Sequence, residues 1–374
     1  MVSALTRYLN QIFFSRLAIL LFGIVSVVLS FDLLERGDNV VQAGRDSQLI
    51  LVRYALLRIP DITSQLLPIA SLLAAVLSFG ELSRHRELDA MWASGVSPFR
   101  IIRVLMPAAL ILITLQFAVD NWGIPKSSEQ LRELGVGHFD DVGPAQDDRG
   151  IWLRSGRDIL RLPVDAAQAG RMENLTIFRR DAEGMLIERL DARVARPRDD
   201  AWVLQDVIRQ SVESLDREFA EQLLWRGKID MEQVAQLAQD PRELPLDQII
   251  RIIENDAYGQ RRAELYRTWL HDRFVRALTP FLMLVLVIAL TQAIGKSVPF
   301  GWIFVSALAM SFIFFVFDRA TLAMGEVGIL PPWLAAWTPN LVLASLAGTF
   351  LILQESSRSV PAPAPMPPPP PRGQ

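Results

Sequence analysis

Long apolar runs alternate with polar stretches along this chain, and these runs are the first feature that predicts structure. A transmembrane helix needs about 20 consecutive, mostly apolar residues to cross the hydrocarbon core of a bilayer. Six segments reach or approach that length, at about 12–31, 60–80, 98–119, 274–294, 298–317 and 329–353. The pattern predicts an α-helical membrane protein with three transmembrane helices, a long polar insertion and three more transmembrane helices.

In the polar insertion between the third and fourth spans, apolar and polar residues alternate with the period of β-strands. Residues 150–165 (GIWLRSGRDILRLPVD) form two short alternating runs around Ser155-Gly156, which is a hairpin signal. A second pair of runs, over 172–195, turns at Asp181–Gly184, and 201–210 (AWVLQDVIRQ) adds a further strand. Alternation between polar turns predicts an antiparallel all-β domain with one buried face. Helical spacing then returns over 244–274 and leads into the fourth span.

The loop between spans two and three, ELSRHRELDAMWASGVSPFR (81–100), has its own helical pattern. The pattern predicts a short helix from Glu81 to Ala93, a left-handed stop at Gly95, and a second helix capped by Ser97. Three residues at helical spacing form one apolar stripe: Leu88, Met91 and Trp92. The stripe suits either a groove in a partner protein or the chain's own membrane helices and lipid.

Composition excludes several classes of function. The 374 residues carry a net charge of −3 and no basic stripe, so nucleic acid is not an expected partner. The chain has no cysteine and three scattered histidines, so no thiol or metal chemistry is expected. The letters GKS at 295–297 resemble the end of a phosphate-binding loop, but Leu290 stands where that loop requires its first glycine. We therefore expect a non-catalytic chain without a nucleotide site or cofactor of its own.

Lysine and arginine in the short loops indicate the orientation. Five of them fall on one side: Arg36, Arg45, Arg53, Arg58 and Arg319. Nine fall on the other: Arg7, Arg16, Arg84, Arg86, Arg100, Arg103, Lys296, Arg358 and Arg372. The excess predicts that both termini are cytoplasmic and that the β domain lies outside.

Residues 66–100 resemble the LptF/LptG family, the permease subunits of the lipopolysaccharide exporter. GKSVPFG (295–301) and GILPPWLAAW (328–337) are similar to the same family, and the similarity covers nearly the whole chain. The resemblance implies a bacterial inner-membrane protein whose periplasmic domain is a β-jellyroll. GIWLRSGRDILRL, AWVLQDVIR and LPLDQIIRII look most like the G-type subunit.

The resemblance also implies partners. These are a homologous F-type permease subunit, a cytoplasmic ATPase dimer that binds the ATP and Mg²⁺, periplasmic jellyroll bridge proteins and lipopolysaccharide itself. The loop helix at 81–95 becomes a coupling helix, with Glu87 at the position of the family's ATPase-contacting glutamate. The other residues expected to contact the ATPase are Arg84, Leu88, Met91 and Trp92.

Two details of this implied transport route concern single residues. The G-type lysine cluster at the outer end of span one is replaced by Asp32-Leu33-Leu34-Glu35-Arg36, so Arg36 is the candidate contact for lipid phosphate. The family's lateral gates lie at spans one and five, where Gly23 and Gly301 are small enough for close helix approach.

Two other functions fit the same layout: a membrane-anchored sensor or scaffold with a periplasmic ligand-binding domain, and a permease for another amphiphile. The expected organisation has four parts. They are residues 1–122 with three transmembrane helices, 123–270 with the β domain and its helical exit, 271–354 with three transmembrane helices, and 355–374 as a disordered Pro-rich cytoplasmic tail.

Overall fold

A computed structural model describes most of the chain. The described residues are 4–42, 47–134, 151–163, 172–198, 201–212, 217–227, 240–254, 263–293 and 300–358. The incomplete phosphate-loop letters at 295–297 and the tail after 358 lie outside these ranges.

The described helices fall into two groups that flank a β-sheet in the sequence. Before the sheet are α1 (Ala4–Gln42), α2 (Ser47–Arg84), α3 (Glu87–Ala93), α4 (Pro98–Val104), α5 (Met106–Ala118), a π-helix (Val119–Gly123) and α6 (Ile124–Glu133). After the sheet are α7 (Leu246–Glu254), α8 (Ala263–Ala293), α9 (Phe300–Glu326) and α10 (Pro332–Arg358).

Among the described residues, six helical stretches are long and apolar enough to cross a membrane, as the hydrophobic pattern predicted. The third runs over Met106–Arg132 instead of 98–119. Pro107 accounts for part of this shift. Proline has no N–H to continue the hydrogen bonds of α4, so α4 ends at Val104 and α5 begins at Met106. The third span crosses the domain boundary placed at 122 through the π-helix, and α8 continues across the boundary placed at 270.

The described strands of the inserted domain form an antiparallel sheet with the strand order β1-β2-β3-β4-β5-β6. The strands are β1 (Ile151–Ser155), β2 (Asp158–Leu162), β3 (Glu173–Arg180), β4 (Leu186–Arg198), β5 (Ala201–Ser211) and β6 (Arg217–Trp225). Both predicted hairpins are confirmed, with Gly156 and Gly184 at positive φ in their turns. Strand β6 was not predicted. The strands follow one another in sequential order, which makes a meander and does not by itself confirm a jellyroll, so the jellyroll stays a prediction.

The described residues form two large apolar cores, and a third, small cluster contains Tyr54 and Leu131. The larger core lies among the membrane helices and is built mainly from α2 and α8, the second of which buries Met283 to Leu290. The smaller lies on one face of the sheet and includes Leu175, Ile177 and Leu190, each fully buried. Its members outside the sheet include Ile249 and Ile252 of α7, so this helix packs on the apolar face of the β domain.

Candidate functional site

The loop between α2 and α4 differs from its prediction in one respect. A single helix from Glu81 to Ala93 is wrong, because α2 continues to Arg84 and the chain turns at Arg86 before α3 begins. Arg86 adopts a left-handed conformation with φ 58°, which costs a non-glycine residue about 1–2 kcal/mol. The turn redirects α3, so that Leu88 packs into the core that α2 also lines.

The end of the loop follows the predicted chemistry. Gly95 has φ 81°, and the N–H groups of Gly95 and Val96 donate to the carbonyls of Trp92 and Met91, which ends α3. Ser97 accepts a hydrogen bond from the Arg100 N–H at 3.3 Å and caps α4, which has a proline at its first position.

The apolar stripe of α3 faces the chain's own bundle. Leu88 is 2% exposed, and Met91 and Trp92 are half-buried against the same core. Side chains on the opposite side of the loop are exposed, among them Arg84 and Ala90. The structure thus places Leu88, Met91 and Trp92 where they fix α3 on the bundle, and their contact with an ATPase stays a prediction.

Glu87 is held by a residue that sequence reasoning missed. The Tyr8 hydroxyl of α1 donates to both Glu87 carboxylate oxygens, at 2.8 and 3.1 Å. At the same end of the bundle, Arg16 of α1 forms an ion pair with Glu81 of α2. No local pattern could have identified Tyr8, because 79 residues separate it from Glu87.

The opposite end of α1 and α2 carries a second polar group. Arg58 donates to both oxygens of Asp32, at 2.9 and 3.1 Å, and Tyr54 donates to the same carboxylate at 2.8 Å. Arg58 also reaches Asp61 at 3.2 Å. Asp32, one of the acids that flank Arg36 in sequence, is therefore already neutralised by α2. Arg36 lies in α1, but its side chain is outside the part that the structure describes.

A buried charged joint connects the bundle with the segment that leaves the β domain. Arg273 of α8, only 3% exposed, donates to four backbone carbonyls, those of Asp120, Pro241, Arg242 and Leu244. Arg242 itself forms a 2.9 Å ion pair with Asp61 of α2. The joint thus ties α2, α8 and the π-helix to residues 241–244.

The π-helix supplies the other half of this joint. Asp120 is 2% exposed, and its carboxylate accepts hydrogen bonds from Ser64 of α2 and Gln116 of α5, the latter at 3.0 Å. Gly123 lies against α2, where an added Cβ would be 3.3 Å from Pro60. π-helical turns often occur at functional sites, and here the turn presents the Asp120 carbonyl to Arg273.

Burial shifts the pKa values of two charged residues at the joint, Glu243 and Arg242. Burial raises the pKa of the Glu243 carboxyl, and the Arg132 guanidinium 3.6 Å away opposes that shift. Burial also lowers the pKa of Arg242, while Asp61 acts in the other direction. A sequence signal for the joint does exist: Asp272, Arg273 and Arg276 stand at the start of a span, where charges are costly unless they are paired.

A small cavity lies between α2, α8, α9 and α10. Its volume is about 30 Å³, which suits about one water molecule and excludes a lipid. Asn340 lines it and accepts a hydrogen bond from Thr279 of α8 at 3.2 Å, so this residue joins two transmembrane helices. Among the described residues, no cluster of side chains has the composition of a metal site.

Comparison with known proteins gives consistent results. The profile of the family described as "Lipopolysaccharide export system permease LptF/LptG" matches residues 7–353. The chain is 22% identical over 346 residues to "Lipopolysaccharide export system permease protein LptG" of Escherichia coli (strain K12), covering 90% of this chain and 94% of that protein. It is 20% identical over 349 residues to the protein of the same name from Haemophilus influenzae (strain ATCC 51907 / DSM 11121 / KW20 / Rd), with coverages of 91% and 96%.

Proposed function

Because the chain belongs to the lipopolysaccharide export system permease LptF/LptG family, we propose that it is the G-type permease subunit of an ATP-driven lipopolysaccharide exporter. The observation that carries this proposal is the extent of the match, which spans both sets of membrane helices and the β domain between them. The relatives found are named as LptG proteins, which favours the G type over the F type.

The proposed route starts in the outer leaflet of the inner membrane. An F-type permease subunit and this chain would enclose a cavity that lipopolysaccharide enters sideways, and periplasmic jellyroll bridge proteins would receive the lipid from the β domain. If the six candidate spans among the described residues all cross the membrane, the two ends of the described chain would lie on one side and the β domain after the third span on the other. With the arginine excess, this supports cytoplasmic termini and a periplasmic β domain.

ATP hydrolysis belongs to a separate cytoplasmic ATPase dimer in this proposal. The chain would be non-catalytic, and ATP and Mg²⁺ would bind only to the partner. Movement of the ATPase would reach the bundle through the loop at 81–95. Glu87 and Arg84 are the partner contacts that the geometry supports best, since Leu88, Met91 and Trp92 are engaged with the bundle.

Affinity purification of the tagged chain in mild detergent, with mass spectrometry of the proteins and lipids recovered, tests the whole proposal. We expect one ATPase, one homologous six-span partner and lipopolysaccharide. A homodimer without ATPase would contradict transport and favour the sensor or scaffold. Recovery of the ATPase with a different amphiphile would retain transport and change the substrate.

Lipid contact by Arg36 is a separate part of the proposal. Arginine binds phosphate through two parallel hydrogen bonds, so Arg36→Ala should lower the amount of lipopolysaccharide that co-purifies with the complex. Arg53→Ala is the matched control, because Arg53 is an exposed arginine near the start of α2. Equal lipid recovery from both variants would exclude Arg36 as a phosphate contact.

A further inference from the structure

The side chain of Asn10 bridges a break between α4 and α5. Asn10 Oδ1 accepts a hydrogen bond from the Ala108 N–H at 3.0 Å, and Asn10 Nδ2 donates to the Val104 carbonyl at 2.9 Å. In a continuous α-helix these two backbone groups would bond to each other, because each N–H pairs with the carbonyl four residues before it. Asn10 Nδ2 also donates to the Thr6 carbonyl of α1 at 2.6 Å, which fixes the orientation of the amide.

The break has two causes in the sequence. Pro107 has no N–H to donate to the Arg103 carbonyl, and the Asn10 side chain enters the helical hydrogen-bond pattern one residue later. Both bridged residues are shielded from water, since Ala108 is fully buried and Val104 is 9% exposed. Buried backbone groups need partners. Asparagine supplies a donor and an acceptor side by side, whereas aspartate lacks the donor and leucine lacks both.

Asn10 lies between two other contacts of α1 with the segment that precedes α4. Tyr8 donates to Glu87 at the start of α3, and Arg16 forms an ion pair with Glu81 near the end of α2. The first turns of α1 are therefore attached to α2, to α3 and to the α4–α5 break. A displacement of residues 81–104 is passed to α1 through these three points.

We propose that Asn10 is a positioning residue for transport, which keeps the α4–α5 break available as a hinge and ties that hinge to α1. The inference rests on the proposed function, because the loop before α4 is where the ATPase would contact this chain. When the loop moves, α4 turns about Leu105 relative to α5. The bonds of Asn10 lie at this pivot, so they persist while the hinge bends and they carry α1 with α4.

Loss of the Asn10 amide has a defined structural consequence. The Ala108 N–H and the Val104 carbonyl are then left without their partner, and they can pair with each other as in a continuous helix. That pairing straightens α4 onto α5 and removes the hinge. Movement of the loop is then no longer transmitted to α1.

Asn10→Ala tests this role in the complex assembled with its ATPase and partner permease, in proteoliposomes containing lipopolysaccharide. ATP hydrolysis and lipid release are measured in the same samples. We expect ATP hydrolysis to continue and lipid released per ATP to fall roughly fivefold, because two hydrogen bonds are lost. Asn10→Asp should be equally impaired, because it cannot donate to Val104. Ser15→Ala is the matched control and should export normally, because the exposed Ser15 bonds only within α1, to the Ile12 carbonyl at 2.9 Å.

The absence of cysteine from the chain allows the hinge to be observed directly with pairs of spin labels. The pair Arg7→Cys and Phe99→Cys joins α1 to α4, and the pair Phe99→Cys and Leu110→Cys joins α4 to α5. All three side chains are exposed. Between the nucleotide-free complex and the complex trapped with ATP and vanadate, we expect the α4–α5 distance to change and the α1–α4 distance to stay constant. Asn10→Ala should broaden the α1–α4 distance distribution.

The outcomes separate the hinge from the proposed function. Unchanged lipid release per ATP in Asn10→Ala would overturn the positioning role of Asn10 and leave the proposed function intact. An α4–α5 distance that is the same in both nucleotide states would overturn the hinge, even if Asn10→Ala failed to assemble. An unsubstituted complex that hydrolyses ATP and releases no lipid would instead contradict the proposed function.

Discussion

Tyr8 and Glu87 are 79 residues apart in the sequence, and the Tyr8 hydroxyl donates to both oxygens of the Glu87 carboxylate, at 2.8 and 3.1 Å. The contact joins the first turns of α1 to the first residue of α3. Glu87 therefore has a fixed orientation before any partner binds. If Glu87 contacts the ATPase, α1 takes part in setting that contact.

Tyr8→Phe removes this hydroxyl and keeps the ring. Tyr8 is 43% exposed, so we expect the free energy that holds Glu87 in this orientation to fall by about 0.5–1 kcal/mol, at the low end for a single hydrogen bond. This corresponds to a two- to fivefold fall in lipid exported per ATP hydrolysed by the reconstituted complex. The effect should vanish in the background of Glu87→Ala, which has no carboxylate to orient. An equal fall in that background would show that Tyr8 acts independently of Glu87.

Substitutions at Leu88 and at Arg84 should impair different properties, stability in the first case and binding of the ATPase in the second. Leu88→Ala removes a side chain that is 2% exposed, so the chain purified in detergent should lose about 2–5 kcal/mol of unfolding free energy. Arg84→Ala changes an exposed side chain and should leave thermal unfolding unchanged while weakening recovery of the ATPase. Normal stability of Leu88→Ala would contradict the structural role of Leu88. Full ATPase recovery with Arg84→Ala would contradict contact between Arg84 and the ATPase.

Much of the fold could be predicted because its signals are local. The apolar runs predict the six spans, and Gly156 and Gly184 mark the two hairpin turns that the structure contains. The break at Arg86 could not be predicted, because a left-handed arginine is selected by the packing of Leu88 that follows it. Strand β6 was also missed, because its mostly exposed residues show no clear alternation between apolar and polar positions.

Contacts between distant segments account for the rest. Neither Tyr8 nor Arg273 belongs to a motif, since their partners lie in other elements. The same difficulty applies to predicting which glycines are closely packed. Close helix approach was predicted at Gly23 and Gly301, yet an added Cβ at either would meet nothing within 4 Å in this chain. Their role at gates with a partner subunit remains a prediction. Close packing within the chain occurs at Gly325 instead.

Gly325→Ala should destabilise the bundle. A Cβ at this position of α9 would lie 2.5 Å from the Ala335 Cβ of α10 and 2.9 Å from Thr268 Cγ2 of α8. Overpacking of this kind costs about 1–3 kcal/mol, measured as a lower free energy of unfolding in detergent. Gly348→Ala is the matched control, because a Cβ there meets nothing within 4 Å. Removing a helical glycine at such a site should instead be neutral or stabilise by up to about 1 kcal/mol.

Glu188 should make the stability of the β domain depend on pH. Burial alone raises its pKa, but hydrogen bonds and charge from Arg179, at 2.5 Å, and Arg209 outweigh burial and hold the pKa below its ordinary value. The folded pKa is therefore lower than the unfolded one, near 4.3. The resulting stabilisation is fully present above the unfolded pKa and is lost as pH falls through the folded pKa.

Glu188→Gln removes that titration. At pH 7 the variant should be less stable than the unsubstituted chain by about 1 kcal/mol, because hydrogen bonds to a charged acceptor become hydrogen bonds to a neutral one. The difference should shrink once pH falls below the unfolded pKa, and it should disappear below the lowered folded pKa, where Glu188 in the unsubstituted chain is itself protonated. Thermal unfolding of both proteins across this pH range provides the measurement. Glu218→Gln, whose side chain is 75% exposed, should show no such difference. A constant gap for Glu188→Gln at every pH would mean that its charge contributes nothing to stability.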